Sequence, residues 1–278
     1  MCKPARRGEQ TVSHKAVDLS KVKGLAEWQS LREDVQASVV DVLGAFPKQR
    51  ADLVVKTADE IQRGGHVRRR INYFVDEWDR VAAWVLIPEG REEVPAIICC
   101  HQETPSGKDE PAGIHGDPAM AFALRYVEMG YVVIVPDCIT AGERVSHGLK
   151  PYDSKAFYKD NAKLSILGKM LFDHIHAVDV LTEMKRVDPA RIGVIGHGLG
   201  AVNALLLTAF DERVQTCVAS CGFTRFADDK APERWVRDEG LCLLPALREA
   251  VKTRAFPFDW EHVLALAAPS PTLIIGAT

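Results

Sequence analysis

This sequence lacks an excess of basic residues, a long apolar run and an apolar segment near its start, and each absence argues against a class of protein. The 278 residues carry 35 lysines and arginines against 38 aspartates and glutamates, a net charge of −3, so nucleic-acid partners are not expected. The longest apolar runs, such as Val81 to Ile87, are too short to cross a bilayer, so no membrane partner is expected. The opening MCKPARRGEQ precedes no apolar segment, so we expect no signal peptide and a cytoplasmic location.

Cysteine is present, but its pattern excludes two further classes. The seven cysteines are odd in number and lack paired metal-ligand spacing, so we expect neither a disulfide framework nor a metal site. Those in or beside runs of Val, Ile and Ala are interpreted as small core residues: Cys99, Cys100, Cys138, Cys217 and Cys221. Cys138 is of most interest because it follows Asp137 at the end of a strand.

The first part of the chain is interpreted as an extension, residues 1–65, in front of one domain, residues 66–278. Apolar residues recur at helical spacing from Leu25 to Val42, and Gly44 ends this helix. The domain is predicted to open with two strands that form a hairpin at the sheet edge: Val67–Glu77 and Trp78–Ile87. The arginine run at 68–70 is interpreted as part of that solvated edge.

After Pro95 the pattern changes to short apolar runs separated by helical segments. We predict five buried parallel strands: Ala96–Cys100, Tyr131–Val135, Arg191–Ile195, Val214–Ser220 and Thr272–Ile275. Two of the helices between them are predicted near Pro118–Met129 and along Leu164–Leu181. This alternation indicates an α/β fold, a mostly parallel sheet with helices on both faces. Long loops at 101–117 and 137–161 leave the carboxyl ends of strands, where such sheets bind ligands.

The glycine-rich turn GHGLG at residues 196–200, between a strand and a helix, carries most of the functional information. It matches a nucleophile elbow, G-x-S-x-G, in which Gly198 takes the serine position and small residues at 196 and 200 avoid backbone collisions. Gly196-x-Gly198-x-x-Ala201 also matches a dinucleotide fingerprint. That fingerprint needs an acidic residue at the end of the next strand, which here reads Ser220-Cys221-Gly222, so the elbow is favoured.

From about residue 66 onward the chain resembles the α/β-hydrolase superfamily and is most similar to its dienelactone-hydrolase-like and acetyl-xylan-esterase-like branch. The resemblance is carried by AIICCHQ at 96–102, GKDEPAG at 107–113, GYVVIVPD at 130–137, AGER at 141–144, and the elbow with ASCGF at 219–223. It implies an eight-stranded sheet with the second strand antiparallel. It also implies a serine nucleophile, a histidine base, an acid and an oxyanion hole of two backbone N–H groups.

Several family positions depart from that pattern. The nucleophile falls on Gly198, which has no side chain. In the family, the acid follows the strand that corresponds to residues 271–276, and the histidine lies beyond a further strand. This sequence supplies neither residue at those positions, so we expect a fold without its last strand and helix and an incomplete triad. Asp228 or Asp229 is an alternative acid. The oxyanion donors fall on the N–H groups of Leu199 and of Gln102 or its neighbour at 103.

Other polar residues have competing interpretations. His197 is expected to pack against the sheet, and His174 and His176 to be a core and a surface histidine rather than metal ligands. His101 and His115 either shape the pocket or are ordinary loop residues. A cluster at the strand ends could do acid–base chemistry without a serine. Its members are Glu103, Asp109, Glu110, Asp137, Glu143 and Arg144.

The site residues are therefore predicted to be Gly198, Leu199 and Gln102, in a hydrolase of the carboxylic-ester or dienelactone type that is catalytically impaired. Two alternatives stay open: a non-catalytic binding or regulatory module on a hydrolase fold, and a dinucleotide-binding oxidoreductase. On the first two interpretations we expect no cofactor and a small ester-like substrate or ligand. The apolar edge at Leu273–Gly276 predicts association between copies of the chain.

Overall fold

The computed structural model describes residues 16–46, 52–77, 79–90 and 92–276. In these residues the strands are β1 Val54–Arg63, β2 His66–Phe74, β3 Arg80–Pro88, β4 Val94–Cys100, β5 Val132–Pro136, β6 Val187–His197, β7 Val214–Ser220 and β8 Thr272–Ile275. The α-helices are α1 Leu25–Leu43, α2 Phe122–Glu128, α3 Lys155–Asp160, α4 Ile166–Thr182, α5 Leu199–Phe210, α6 Arg248–Thr253 and α7 Trp260–Ala267. The start of the predicted extension and Trp78 lie outside the described residues.

The strands form one sheet in the order β1-β2-β3-β5-β4-β6-β7-β8. Strands β4 to β8 are parallel, and the other three pairings, β1 with β2, β2 with β3 and β3 with β5, are antiparallel. The predicted strands Val214–Ser220 and Thr272–Ile275 agree with β7 and β8 residue for residue. Counted from residue 66, the second strand is β3, and its antiparallel direction is the one that the resemblance implied.

Helices cover both faces of this sheet, as the alternating side chains of β4 demonstrate. Ala96, Ile98 and Cys100 pack in the larger core with α1, α4, α5 and α7. Ile97 and Cys99 point the other way, into a smaller core under α2. The predicted α/β fold, a mostly parallel sheet between helices, is therefore confirmed. Within the described residues, none of the helices combines the length and the apolar composition needed to cross a bilayer.

The predicted hairpin is confirmed, because β2 pairs antiparallel with β3, but its predicted place at the sheet edge is wrong, because β1 lies outside it. This strand falls in the segment assigned to the extension and pairs with β2 from Val54 opposite Phe74 to Arg63 opposite His66. Its side chains are all exposed, so it has no apolar face to reveal it. The turn between the strands, Gly64-Gly65 with Gly65 at φ 85°, is the signal that could have done so. The division at residue 65 stays a prediction.

The arginines of β2 consequently lie on an interior strand of the sheet and not on its edge strand. Arg69 donates through Nε to the Glu60 carboxylate on β1 at 2.5 Å. The Arg68 guanidinium lies 5.1 Å from the centroid of the Trp84 ring on β3. Long side chains of this kind are tolerated there because their stems lie along neighbouring strands while their charges meet partners. The charged edge is β1.

The opposite edge of the sheet is apolar. On β8, Leu273, Ile274 and Ile275 are 56%, 44% and 45% exposed, so residues on both faces of the strand meet solvent. An edge of this composition lacks the charges that usually discourage pairing with other strands. Association between copies through β8 stays a prediction.

A buried ionic network ties the loop after β5 to α4. Arg144 donates to Asp173 at 2.6 Å and to Asp79 at 3.0 Å. Lys169, one turn before Asp173 on α4, joins both carboxylates. Burial alone would raise the pKa of Asp173, but the charges of Arg144 and Lys169 outweigh it and hold that pKa below its ordinary value.

We predict that Arg144→Met lowers the free energy of unfolding by about 3–5 kcal/mol, because it leaves the buried Asp173 carboxylate without its main partner. The matched control is Arg191→Met, which breaks the more exposed pair with Asp188 and should cost less than about 1 kcal/mol. Urea denaturation measures both, and equal losses would contradict the prediction.

The same network predicts a pH dependence of stability. Because the pKa of Asp173 is lowered in the folded state, its contribution is fully present above the ordinary value of 3.8 and is lost as the pH falls through the lowered value. In urea titrations, the stability difference between the wild type and Arg144→Met should therefore be large at neutral pH and shrink below about pH 4. A difference that stays constant would contradict this assignment.

Candidate active site

One residue, Gly198, makes the turn from β6 into α5. Its φ of 56° and ψ of −122° form a sharp strand-to-helix turn, and the residue serves as the N-cap of α5. Its N–H donates to the Ser220 carbonyl on β7 at 2.9 Å, which fixes the turn to the neighbouring strand. A residue with a side chain would be strained at this φ, so glycine suits the backbone here.

The glycines around Gly198 are required by close backbone contacts. A Cβ on Gly196 would lie 2.1 Å from the Gly200 carbonyl carbon, and one on Gly200 would lie 2.0 Å from the Cys100 oxygen. A Cβ on Gly198 would have ordinary contact, 3.6 Å from Cβ of Gln102. Position 198 is therefore the one place in GHGLG where a glycine could be replaced without a collision, and this is the geometry of a nucleophile elbow.

Two backbone segments meet beside position 198. Leu199 is the first residue of α5, so its N–H has no partner within the helix. Gln102 begins a tight turn in which the Thr104 N–H donates to the Gln102 carbonyl at 2.9 Å. The Gln102 side chain is held by Glu110 at 2.8 Å. The structure thus brings together Gly198, Leu199 and Gln102, while their roles stay predictions.

His101 is a buried link between the two long loops. Its Nε2 accepts the Cys138 N–H at 2.9 Å, so the proton is on Nδ1, which donates to the Gln102 carbonyl at 2.7 Å. Desolvation lowers the pKa of His101 and favours this neutral form. His115 is exposed and lines a separate cleft of about 570 Å³ with Arg70 and Lys108.

The remaining histidine predictions have mixed outcomes. His197 faces the end of β7, where its Nδ1 lies 3.1 Å from the Ser220 hydroxyl. His174 is a core histidine, and burial lowers its pKa to about 4. The prediction that His176 is a surface residue is wrong: it is 1% exposed and its Nδ1 donates to the Phe172 carbonyl. Nearly every side chain of α4 is buried, because this helix packs on the sheet and against α1 and α5.

Most of the cysteine predictions are confirmed. Cys99, Cys100, Cys138 and Cys217 are buried and free. Burial raises the pKa of the Cys138 thiol, so this residue is not a reactive thiolate. The prediction is wrong for Cys221, which is exposed, because the backbone turns away from the sheet there with φ 55°.

The predicted carboxylate cluster divides among several partners. Lys108, 3% exposed at its side chain, holds Asp137 at 2.7 Å and Glu143 at 2.9 Å. Asp109 accepts from the Trp84 indole at 2.6 Å. Glu103 lies apart, 4.0 Å from Arg237. Lys108 pairs with two of these carboxylates and Glu103 lies apart, so the geometry gives acid–base catalysis by this cluster no support.

The alternative acids occupy unlike surroundings. Asp229 is buried and accepts from the Trp235 indole at 3.3 Å and from Arg234 at 2.9 Å, whereas Asp228 is exposed. Asp259, which the sequence analysis did not single out, accepts the Phe226 N–H at 2.7 Å and caps α7. In the described part of the chain, no group of three or more His, Cys, Asp or Glu side chains is arranged to hold a metal ion.

With this geometry established, comparison with known proteins assigns the family. A model of the Abhydrolase family matches residues 13–274. The chain belongs to the Abhydrolase family. Membership favours the elbow interpretation of GHGLG over the dinucleotide fingerprint, and the resemblance to α/β-hydrolases is confirmed.

The individual relatives and superposed structures have low sequence identity to this chain. "Putative hydrolase YtaP" from Bacillus subtilis (strain 168) is 24% identical over 197 residues, which are 69% of this chain and 64% of that protein. The chain thus spans less than two thirds of that relative's length. A glucuronoyl esterase from Solibacter usitatus superposes with a TM-score of 0.70 at 15% identity, covering 95% of this chain and 78% of that one. Acetyl xylan esterase 1 from Thermoanaerobacterium sp. JW/SL YS485 gives 0.55 at 17% identity, covering 88% and 77%.

We predict that alanine is tolerated at position 198 and not at position 200. Gly198→Ala should cost about 1–3 kcal/mol of stability, because it adds backbone strain without a collision. Gly200→Ala should cost at least about 4 kcal/mol or fail to fold, because its Cβ would enter the Cys100 carbonyl. Urea denaturation and yield of soluble protein measure this order. A reversed order would show that the turn does not have this geometry.

Proposed function

We propose that this Abhydrolase-family chain is of the carboxylic-ester or dienelactone hydrolase type, and that its elbow recognises an ester carbonyl without attacking it. The observation that carries the proposal is the glycine at the elbow, in the place from which a nucleophile would project. Without a hydroxyl at position 198, no acyl group can be transferred to the elbow. With glycine at position 198, the chain is therefore impaired in covalent catalysis.

The histidines of the neighbouring segments support this impairment. Both ring nitrogens of His101 are engaged, one by the Cys138 N–H and the other by the Gln102 carbonyl. His197 has its Nδ1 at the Ser220 hydroxyl on the next strand. Within the described residues, neither ring adopts the arrangement of a base paired with an elbow nucleophile.

The backbone around position 198 supports recognition of an ester. The Leu199 N–H is unused by α5, and the turn that begins at Gln102 lies against the elbow, so two segments can offer N–H groups to a carbonyl oxygen. In serine hydrolases, an oxyanion hole and substrate binding alone leave a rate roughly 10³ above that in water. Slow ester hydrolysis is therefore part of the proposal.

The class of ligand draws on the neighbours as well. The superposed structures are named as a glucuronoyl esterase and an acetyl xylan esterase. At 15% and 17% identity they share the fold alone, so an ester-like small molecule is our inference for this chain. A cytoplasmic location belongs to the same proposal, supported by free cysteines in the described residues.

The same glycine favours a second candidate, a binding or regulatory module that keeps the pocket without turnover. A ligand that binds only the folded state raises the unfolding midpoint, and the stabilisation grows with the logarithm of its concentration once that exceeds Kd. Thermal denaturation with phenyl acetate, alongside an assay of phenol release, separates the two candidates. Stabilisation with no phenol release favours the module. Phenol release that depends on the Leu199 N–H favours the impaired hydrolase.

We predict that the slow hydrolysis of 4-nitrophenyl acetate depends on the Leu199 N–H. Leu199→Pro removes this N–H at the first helical position, where proline is tolerated, and should lower the protein-dependent rate by about a hundredfold. Leu199→Ala is the matched control, since it removes the side chain but keeps the N–H. Equal rates in the two variants would contradict the proposed oxyanion hole.

We further predict that the elbow forms no covalent adduct. After incubation with a fluorophosphonate ester, the intact mass of the wild type should be unchanged, because position 198 has no nucleophile. Gly198→Ser should be labelled only slowly, since neither His101 nor His197, the described histidines nearest in sequence to the elbow segments, is free to act as its base. Rapid labelling of that variant at position 198 would show that a base acts on the elbow and would contradict this part of the proposal.

A further inference from the structure

The hydroxyl of Tyr152 lies against the turn that begins at Gln102. It accepts the Thr104 N–H at 2.9 Å and lies 2.9 Å from the Thr104 carbonyl and 3.0 Å from the Gln102 carbonyl. His101 Nδ1 is 3.5 Å away and already donates to the Gln102 carbonyl. One phenol from the second long loop thus meets the backbone on both sides of residue 103.

Tyr152 is itself held firmly in place. Its N–H donates to the Thr140 carbonyl at 2.8 Å, and the residue is 7% exposed within the larger core. Burial raises the pKa of Tyr152, so the phenol keeps its proton and can donate as well as accept. Its φ of 62° is rare for a residue with a side chain and costs about 1–3 kcal/mol, which the surrounding contacts must offset.

The held turn is the one that faces the elbow. Gln102 Cβ lies 3.6 Å from the position of a Cβ on Gly198, so a small displacement of the turn changes what residue 198 meets. Hydrogen-bond donors stabilise a developing oxyanion only when they are fixed in advance at about 2.7–3.1 Å from it. A rigid support for this turn therefore bears directly on the site.

We propose that Tyr152 is a positioning residue, whose hydroxyl fixes the 102–104 turn so that the N–H of Gln102 or Glu103 faces a carbonyl bound at the elbow. The inference rests on the proposed function, since it assigns the support of the proposed oxyanion hole. Tyr152 acts through the turn and touches no reacting atom.

The test is Tyr152→Phe, which keeps the ring and removes the hydroxyl. The matched control is Tyr158→Phe, because the Tyr158 hydroxyl also joins two backbone groups, accepting from the Ile166 N–H at 2.9 Å and donating to the Cys242 carbonyl at 2.8 Å. Two readouts are needed: hydrogen exchange at the Thr104 amide, and the hole-dependent rate, which is the rate difference between Leu199→Ala and Leu199→Pro measured in each tyrosine background with 4-nitrophenyl acetate.

We expect Tyr152→Phe to accelerate exchange at Thr104 by about tenfold and to lower the hole-dependent kcat by about tenfold with little change in KM, because the turn loses its hydrogen bonds to the hydroxyl. Tyr158→Phe should change neither. Unchanged exchange in Tyr152→Phe, or faster exchange with an unchanged hole-dependent rate, would overturn the inference, as would an equal loss of rate in the control.

Failure of the proposed function has a different signature. If Leu199→Ala and Leu199→Pro hydrolyse the ester equally in the wild-type background, recognition of a carbonyl at the elbow is wrong and the catalytic half of the inference falls with it. Exchange at Thr104 then still decides whether Tyr152 fixes the turn, because that measurement needs no substrate.

Discussion

The backbone contact between β4 and the start of α5 is the constraint on which the site depends. Gly200 lies so close to the Cys100 carbonyl, and Gly196 so close to Gly200, that neither has room for a Cβ. The chain passes this contact through a turn of positive φ at Gly198, which leaves the first N–H of α5 without a partner within the helix. The elbow is thus fixed by packing around position 198 and not by the residue at that position, which is why it persists with a glycine there.

A second layer of hydrogen bonds holds the loops around this contact. His101 joins the ends of β4 and β5 through its two ring nitrogens. Tyr152 fixes the turn after Gln102, and Arg144 anchors the loop after β5 to Asp173 on α4. Each of these groups is buried and has at least one partner in another segment, so these hydrogen bonds tie the long loops together at the carboxyl end of the sheet. Fixed donors of this kind account for recognition of a carbonyl without a nucleophile.

The sequence predicted the parts of this arrangement that have a strong local pattern. The strands β7 and β8 and the glycine turn followed from apolar runs and from G-x-G-x-G spacing, because both are determined by residues close together in the chain. β1 was not predicted because a fully exposed strand shows no apolar face. His176 was wrongly predicted to lie on the surface because helical periodicity does not reveal that α4 is covered on nearly all sides. The role of Tyr152 could not be predicted, since its contacts with Gln102 and Thr104 join residues about fifty positions apart.

The central claim is that the elbow binds an ester carbonyl through backbone N–H groups without covalent chemistry. The most direct measurement is a titration of nitrogen-15-labelled protein with phenyl acetate, followed by the amide resonances of Leu199, Gln102 and Glu103. Saturable shifts at Leu199 and at one of the other two, reversed when the ester is removed, are the predicted result. Shifts confined to other parts of the molecule, or a lasting change that marks a covalent adduct, would contradict the claim.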